Sequence, residues 1–279
     1  MSPLATLIDI YQKRGFEICV GLNPGHFSGI GNRGLPFAAI KKYHKTLQTG
    51  GGISLQEIYF FENLFSVYHP QNIFIIGNAF GWSTILFSLL NPNAKVIAID
   101  AGMEGDDNDF GINLTNQIAK EEDLTLKVIK GFSPNDVESI VSNELDGRID
   151  CCFIDGLHTN SQQYLDFKAC EPFFSKESII VFHDVINWKM QDSFSKISRE
   201  ATDFTAKLFY STTSGMGILY PRLLEEKIVR HIDCFYVPDE MILDVKKKAK
   251  LYRYFGWIPF SLFFYRLFQK LTSSRKIRL

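Results

Sequence analysis

The sequence predicts an α/β protein with a doubly wound, mostly parallel sheet of seven strands, which ends in a C-terminal antiparallel hairpin. Helical additions are expected at both ends of the chain. The first five of seven short apolar runs alternate with helix-like segments, and several of them are apolar at nearly every position, as expected for parallel strands covered on both faces. Helix-like segments separate these runs, which suits crossover connections, whereas the last two runs lie too close together for a helical crossover and indicate a hairpin. The runs are NIFIIG (72–77), KVIAID (95–100), LTLKVIKG (124–131), IDCCFIDG (149–156), SIIVFHDV (178–185), AKLFYST (206–212) and GMGILYP (215–221).

Three regions follow from this pattern over the 279 residues. Residues 1–52 form an N-terminal segment, and its part from 22 to 52 is rich in turn residues around one short helix-like stretch, which suggests a lid. Residues 53–222 carry the α/β domain, which opens with a helix whose start has the capping-box spacing of Ser54 and Glu57. Residues 223–279 form a helical, basic and aromatic tail.

The composition is that of an ordinary globular protein, with 46% hydrophobic and 22% charged residues. The five cysteines are odd in number and form no CxxC motif, which argues against a zinc site or a disulfide framework and favours a reducing compartment. Charged residues occur so early in the sequence that they leave no apolar stretch long enough for a signal peptide. We therefore expect a cytoplasmic protein.

A glycine-containing turn follows the first strand of the α/β domain, in the stretch IIGNAFGWST. Gly77 and Gly81 let the backbone turn tightly against a ligand, although the same spacing also suits a plain strand-to-helix turn. Asp100 ends the next strand, where a carboxylate can accept hydrogen bonds from ribose hydroxyls or cap a turn. Ala79 and Trp82 replace two glycines of the dinucleotide fingerprint, which makes a nicotinamide-dependent oxidoreductase a distant candidate.

Polar residues also follow two later strands of the predicted sheet. Asp155 and His158 come after the fourth apolar run, and His183 and Asp184 come at the end of the fifth. The carboxyl ends of parallel strands meet at one edge of a sheet, where open α/β sheets bind ligands. Asn160, Gln163, Tyr164 and Asp166 follow on the next helix and are weaker candidates for substrate contact.

The order of these features resembles the class I S-adenosylmethionine-dependent methyltransferases, a Rossmann-like fold, over roughly residues 51–221. The matching pieces are IIGNAFGWST, the AID at 98–100, the FIDGLH at 153–158, the VFHDV at 181–185 and the closing GMGILY hairpin. Within that superfamily the chain looks most like the small-molecule O-methyltransferases related to catechol O-methyltransferase. The resemblance implies that S-adenosylmethionine is the cofactor. It also implies the following cofactor-binding residues: Gly77, Ala79 and Gly81 around the methionine part, Asp100 at the ribose, Gly131, Phe132 and Ser133 beside the adenine, and Asp155.

The same resemblance implies a divalent metal, Mg²⁺, Mn²⁺ or similar, at the positions of Asp155, His183 and Asp184. A histidine suits a transition metal better than Mg²⁺, and the alternative is that His183 and Asp184 merely cap a strand end. His158 stands where related enzymes carry a proton-accepting lysine. An imidazole suits a general base near neutral pH, so we expect His158 to be catalytic, with a structural role as the alternative.

Two functions remain open from the sequence. The first is O-methylation of a hydroxyl on a small molecule or a sugar, with or without a metal. The second is a catalytically inactive binding or assembly module of the same fold. The acidic residue that the family usually places two residues before the first glycine is Ile75 here, and together with Ala79 this departure motivates the second function.

The tail is basic, since ten of the 30 Lys and Arg residues and no Asp or Glu follow Val245. On a helical wheel, six apolar residues share one face, namely Phe260, Phe263, Phe264, Leu267, Phe268 and Leu271. This pattern allows docking on the protein's own body, self-association, or peripheral contact with an anionic membrane through residues 246–279. No nucleic-acid partner is expected.

Overall fold

The computed structural model describes residues 2–22, 37–42, 45–103, 109–255, 263–264 and 267. The chain divides into two compact units, Met1–Tyr236 and Val237–Leu279. The three regions predicted from the sequence have different boundaries from these units and stay a prediction.

The first unit contains a seven-stranded sheet in the order β6-β5-β4-β7-β8-β10-β9. Strands β4 to β8 run parallel, and β10 pairs antiparallel with both β8 and β9. The predicted fold class, including the terminal hairpin, is confirmed. The strands are β4 (Asn72–Ile76), β5 (Lys95–Asp100), β6 (Leu126–Lys130), β7 (Ile149–Ile154), β8 (Phe174–Phe182), β9 (Phe204–Leu208) and β10 (Gly217–Pro221).

Helices connect these strands and cover both faces of the sheet. The chain order reverses between β4 and β7, which are neighbours, so the crevice where such folds bind ligands lies at their carboxyl ends. The helices of this unit are α1 (Pro3–Gln12), α2 (Leu55–Phe65), α3 (Trp82–Leu90), α4 (Phe110–Glu121), α5 (Val137–Glu144), α6 (Asn160–Cys170), α7 (Gln191–Glu200) and α8 (Glu225–Ile232).

The described residues between 17 and 51 include a second, smaller sheet. Its antiparallel strands are β1 (Glu17–Val20), β2 (Ala38–Lys42) and β3 (Lys45–Gly51). The helix-like stretch predicted between 22 and 52 is wrong for residues 38–42, because pairing with β1 and β3 outweighs the helix propensity of Ala and Lys. The residues from 23 to 36 of the predicted lid lie outside the described part of the chain.

Alternating strand residues build two cores, one on each face of the large sheet. Ile73 and Ile75 of β4 belong to one core, and Phe74 and Ile76 belong to the other. The first core contains a chain of ring contacts from α2 through α3 to β7, which accounts for part of the high phenylalanine content. Helix α1 packs on the same side, where the buried Tyr11 hydroxyl donates to the Phe80 carbonyl at 2.6 Å and so fixes the turn after β4.

The second unit contains α9 (Asp239–Phe255) and, further along, three described helical residues of the predicted apolar face. These three, Phe263, Phe264 and Leu267, are all exposed. The other members of that face lie outside the described residues. Across the described ranges, no helix combines the length and the apolar character needed to cross a membrane.

Candidate functional site

The turn between β4 and α3 adopts the backbone that a glycine-rich loop needs, although one glycine is replaced. Gly77, Ala79 and Gly81 all have positive φ angles, of 96°, 47° and 88°. A left-handed backbone costs a residue with a side chain about 1–2 kcal/mol. Asp100 offsets this cost, because its Oδ2 accepts the backbone amides of Asn78 at 2.7 Å and Ala79 at 2.9 Å. The departure from the family pattern at Ala79 therefore leaves the turn formed.

Two glycines of this turn are required by close packing as well as by backbone angle. A Cβ on Gly77 would lie 2.1 Å from the carbonyl oxygen of Asp155, so the ends of β4 and β7 approach each other there. A Cβ on Gly81 would lie 2.3 Å from Thr115 Oγ1 on α4. Gly77 thus shapes the crevice itself, whereas Gly81 allows α3 to pack on α4.

A cavity of about 430 Å³ opens at the carboxyl ends of β4, β5, β6, β7 and β8. This volume lies within the usual range for small-molecule and cofactor sites. Gly81 is absent from its described lining. The other ten predicted site residues line the cavity: Gly77, Ala79, Asp100, Gly131, Phe132, Ser133, Asp155, His158, His183 and Asp184.

The end of the cavity beside β6 is organised by Asp166. Its Oδ1 accepts hydrogen bonds from Ser133 Oγ at 2.6 Å and from Gln162 Nε2 at 2.7 Å. Burial raises the pKa of Asp166 despite these hydrogen bonds, which act to lower it. Phe132 is half exposed at the same rim, where an aromatic ring can stack on a flat ligand.

The other helix residues singled out from the sequence face away from the cavity lining. Asn160 and Gln163 bond to Ser193, and Tyr164 donates to Glu200. Their contacts tie α6 to α7, so they support the site from outside.

Two histidines and three carboxylates form one hydrogen-bonded cluster at the other end of the cavity. Asp155 Oδ1 lies 3.0 Å from His183 Nδ1 and 3.2 Å from His158 Nε2. His158 Nε2 also lies 3.3 Å from Asp184 Oδ2, and His183 Nε2 lies 3.2 Å from Glu57 Oε2. Both ring nitrogens of His183 therefore face carboxylate oxygens, an arrangement that favours the charged ring, in which both nitrogens donate.

The charges in this cluster shift each other's pKa values. Burial alone would lower the pKa of His183, but the charges of Asp155, Asp184 and Glu57 raise it well above its ordinary value. Burial also opposes the charged form of Asp155, yet the two histidines lower its pKa to about 2. His158 is less buried, and its pKa is raised because the hydrogen bond and charge of Asp155, together with the charge of Asp184, outweigh desolvation.

Asp184 reaches the cluster through a strained turn after β8. Its φ angle is 57°, the left-handed region that non-glycine residues seldom adopt and that recurs at functional sites. Asn187 Nδ2 donates to its Oδ1 at 3.0 Å, and the amide of Trp188 donates to its carbonyl. The Trp188 ring stacks on His158 with centroids 5.1 Å apart. The turn thus brings the Asp184 carboxylate to Nε2 of His158 and the Trp188 ring onto the face of the imidazole.

One group of donor atoms in the described residues can reach a single metal ion. Asp155, His158 and Asp184 each offer one atom, and these atoms lie within 4.8 Å of one another. His183, predicted as a ligand, uses both ring nitrogens on Glu57 and Asp155 instead. The geometry therefore favours His158 in the position predicted for His183.

Glu57 is the member of the cluster that sequence reasoning did not assign to the site. Its spacing from Ser54 signals a helix cap, and its Oε2 does accept the Ser54 amide at 2.7 Å. His183 lies 126 positions further along the chain, so local spacing carries no sign of that second contact. Burial acts to raise the pKa of Glu57, but the charge of His183 and hydrogen bonds from His183, Ser214 and Ser54 lower it.

Comparisons with known proteins agree with this geometry. Residues 74–185, from β4 to the turn after β8, match the family model described as a methyltransferase domain. This part of the chain is therefore similar to a methyltransferase domain. The predicted resemblance to the class I methyltransferases is thereby confirmed. No curated protein matches the chain at a significant level.

Several solved structures are similar to this chain in fold. A Staphylococcus aureus protein assigned as a caffeoyl-CoA O-methyltransferase has 17% identity and a TM-score of 0.51, covering 61% of this chain and 85% of its own. Cofactor-bound Rv0187 from MTB has 13% identity and a TM-score of 0.52, with 79% and 89% covered. The O-methyltransferase TomG from Streptomyces achromogenes, in complex with SAM, has 14% identity and a TM-score of 0.50, with 61% and 81% covered.

Proposed function

We propose that the protein is an S-adenosylmethionine-dependent O-methyltransferase that methylates a hydroxyl on a small molecule or a sugar. One observation carries the proposal: a single cavity joins the glycine turn and Asp100 to the cluster of Asp155, His158 and Asp184. The first group suits a nucleoside cofactor, and the second suits activation of a hydroxyl. The fold neighbour in complex with SAM, itself named an O-methyltransferase, supports the same cofactor and reaction.

Asp100 is the residue proposed to hold the ribose. A carboxylate offers about four acceptor positions. Asn78 and Ala79 occupy two at Oδ2, and Gly102 occupies one at Oδ1 at 2.7 Å. This arrangement leaves one acceptor position for a ribose hydroxyl. Ile75 is fully buried in the core, so it takes no part in binding the cofactor's amino end.

The proposed reaction is an in-line displacement at the methyl carbon of the sulfonium. The acceptor oxygen forms a bond to that carbon, the carbon–sulfur bond breaks with its electron pair remaining on sulfur, and S-adenosylhomocysteine leaves. The hydroxyl proton passes to His158, and the carboxylates of Asp155 and Asp184 stabilise the imidazolium that results. Orientation of the two reactants supplies much of the rate, and the stacked Trp188 ring covers one face of the His158 imidazole.

A divalent cation fits the same cluster, because two carboxylates and an imidazole suit a transition metal such as Mn²⁺. Asp155, His158 and Asp184 would hold it. When bound, such an ion orients the acceptor hydroxyl and lowers the hydroxyl pKa. Nε2 of His158 faces both carboxylates and would be the metal-binding nitrogen, and an imidazole held by a metal is a poor base, so His158 serves one role or the other.

Calorimetric titration of S-adenosylmethionine and S-adenosylhomocysteine tests the cofactor. We expect binding, and we expect Asp100→Asn to weaken it about tenfold or more, because a charge-assisted hydrogen bond is lost. Absence of binding at millimolar cofactor would contradict the proposal.

Methyl transfer to a panel of catechols, phenols and sugars, measured as S-adenosylhomocysteine formed, tests the chemistry. We expect His158→Ala to bind the cofactor normally and to lose about 10²–10⁴-fold in turnover. Activity that survives EDTA assigns the base role to His158, whereas loss with EDTA and recovery with Mn²⁺ assigns the ligand role. A catalytically inactive module, the alternative from the sequence, is contradicted by any such turnover.

A further inference from the structure

Glu57 lies behind His183, outside the described lining of the cavity, and is fully buried. Its two oxygens accept three hydrogen bonds. Oε1 accepts the Ser214 amide at 2.8 Å, and Oε2 accepts the Ser54 amide at 2.7 Å and His183 Nε2 at 3.2 Å. The side chain therefore connects the start of α2, the loop of the terminal hairpin and the end of β8.

His183 connects Glu57 to the cavity, because one ring nitrogen contacts Glu57 and the other contacts Asp155. With Nε2 held by Glu57, the ring is oriented so that Nδ1 lies 3.0 Å from Asp155 Oδ1. Phe153 and Phe37 pack against the edges of the ring, with centroids 5.7 and 6.0 Å away, which restricts its rotation further. Asp155 in turn contacts His158 through the same Oδ1.

We propose that Glu57 is a positioning residue for the acceptor end of the site. Through the ring of His183, it fixes the orientation of the Asp155 carboxylate. This inference rests on the proposed function, since Asp155 is the group that stabilises charge on His158. It adds a residue that touches neither cofactor nor acceptor. The unit Glu57–His183–Asp155 has one role, which is to hold Asp155 in the orientation that meets His158.

A carboxylate suits this position and an amide does not. All three partners of Glu57 donate hydrogen, and a carboxylate only accepts. A glutamine has one accepting and one donating end, so either rotamer turns an NH₂ group toward a donor. In either rotamer, Glu57→Gln therefore removes the charge that faces His183 and breaks at least one of the three hydrogen bonds, while keeping the shape of the side chain.

Asp150 provides a matched control at the opposite end of the sheet. It is also a buried carboxylate, and it accepts the amides of Gln71 and Asn72 and the Arg148 guanidinium. Asp150→Asn removes charge from a comparable network far from the cavity, so it reports the loss of stability without a loss of positioning.

The test compares Glu57→Gln, Asp155→Asn and their double variant with the same cycle built on Asp150→Asn. In urea unfolding, we expect the effects of Glu57→Gln and Asp155→Asn on the unfolding constant to be non-additive by about fivefold or more, and those of Asp150→Asn and Asp155→Asn to add. In methyl transfer, we expect Glu57→Gln to lower kcat about tenfold or more with the KM for S-adenosylmethionine unchanged, while Asp150→Asn changes neither.

Additive unfolding effects of Glu57→Gln and Asp155→Asn, with kcat unchanged, would overturn the inference. Should Glu57→Gln fail to fold, His183→Gln replaces it in the cycle, because it removes the intermediate ring and leaves both amide contacts of Glu57. The unfolding cycle needs no substrate. It therefore tests the coupling between Glu57 and Asp155 even if the wild-type protein transfers no methyl group. Absence of methyl transfer would contradict the proposed function but not this coupling.

Discussion

Replacing Gly77 with alanine tests whether the crevice depends on the close approach of β4 and β7. The left-handed φ costs alanine about 1–2 kcal/mol, and the lower entropy of the unfolded chain returns about 0.4–1 kcal/mol. The added Cβ would also lie 2.1 Å from the Asp155 carbonyl oxygen, whereas real contacts stay above 3.0 Å. The end of β7 must therefore move by about 0.9 Å, which we expect to cost a further 1–3 kcal/mol or so.

Gly147 supplies the matched control, because its φ is also positive, at 71°, and no described atom lies within 4 Å of a Cβ placed there. The difference in unfolding free energy between Gly77→Ala and Gly147→Ala, measured in urea, isolates the steric part. We expect Gly77→Ala to be less stable by about 1–3 kcal/mol and to lose up to about 10²-fold in kcat, since a 1 Å displacement misaligns reacting groups. Equal stability of the two variants, with S-adenosylhomocysteine binding unchanged in both, would refute this account of the turn.

Two further predictions concern the charged groups. The raised pKa of His183 means that its stabilising contribution is complete below about pH 6.5 and declines as the pH rises through the folded-state value. In urea unfolding with EDTA between pH 6 and 9, the wild-type protein should therefore lose stability more steeply than His183→Gln, and parallel curves would argue against a charged ring. For the tail, we expect co-sedimentation with phosphatidylserine vesicles that weakens as salt rises and that Phe263→Ser with Phe264→Ser reduces. Equal binding to phosphatidylcholine vesicles, or none to either, would argue against an anionic surface as the partner.

The fold could be predicted because its signals are local and repeated. A central parallel strand is buried on both faces and is therefore an uninterrupted apolar run in the sequence, as CCFI of β7 is, whereas the edge strand β6 is only partly buried. The close spacing of the last two runs likewise excludes any connection except a hairpin. The N-terminal sheet was harder to predict, because Ala38–Lys42 contains good helix formers and becomes a strand through pairing with β1.

The candidate site was predictable in its location and less so in its internal contacts. Asp155, His158, His183 and Asp184 converge because parallel strands end at one edge of the sheet. Which histidine lies among the candidate metal-binding atoms and which faces a buried carboxylate depends on Glu57, which lies on a helix before the motif region. The spacing of motifs in the sequence predicts which residues lie at the carboxyl edge of the sheet. It does not predict hydrogen bonds between residues that are more than a hundred positions apart, such as Glu57 and His183.

The contact between Glu57 and Ser214 joins positions 157 residues apart, and Ser214 lies in the loop before the last strand of the sheet. Strands β4 and β5 and the glycine-turn end of the cavity are therefore synthesised before the residue that completes the Glu57 network. A chain cut short before the hairpin would retain its glycine turn and Asp100 yet lack one of the three anchors of Glu57. In such a truncated chain the acceptor-end cluster would be incomplete although every residue of the glycine-turn end is present, so the two ends of the cavity are completed at different stages of synthesis.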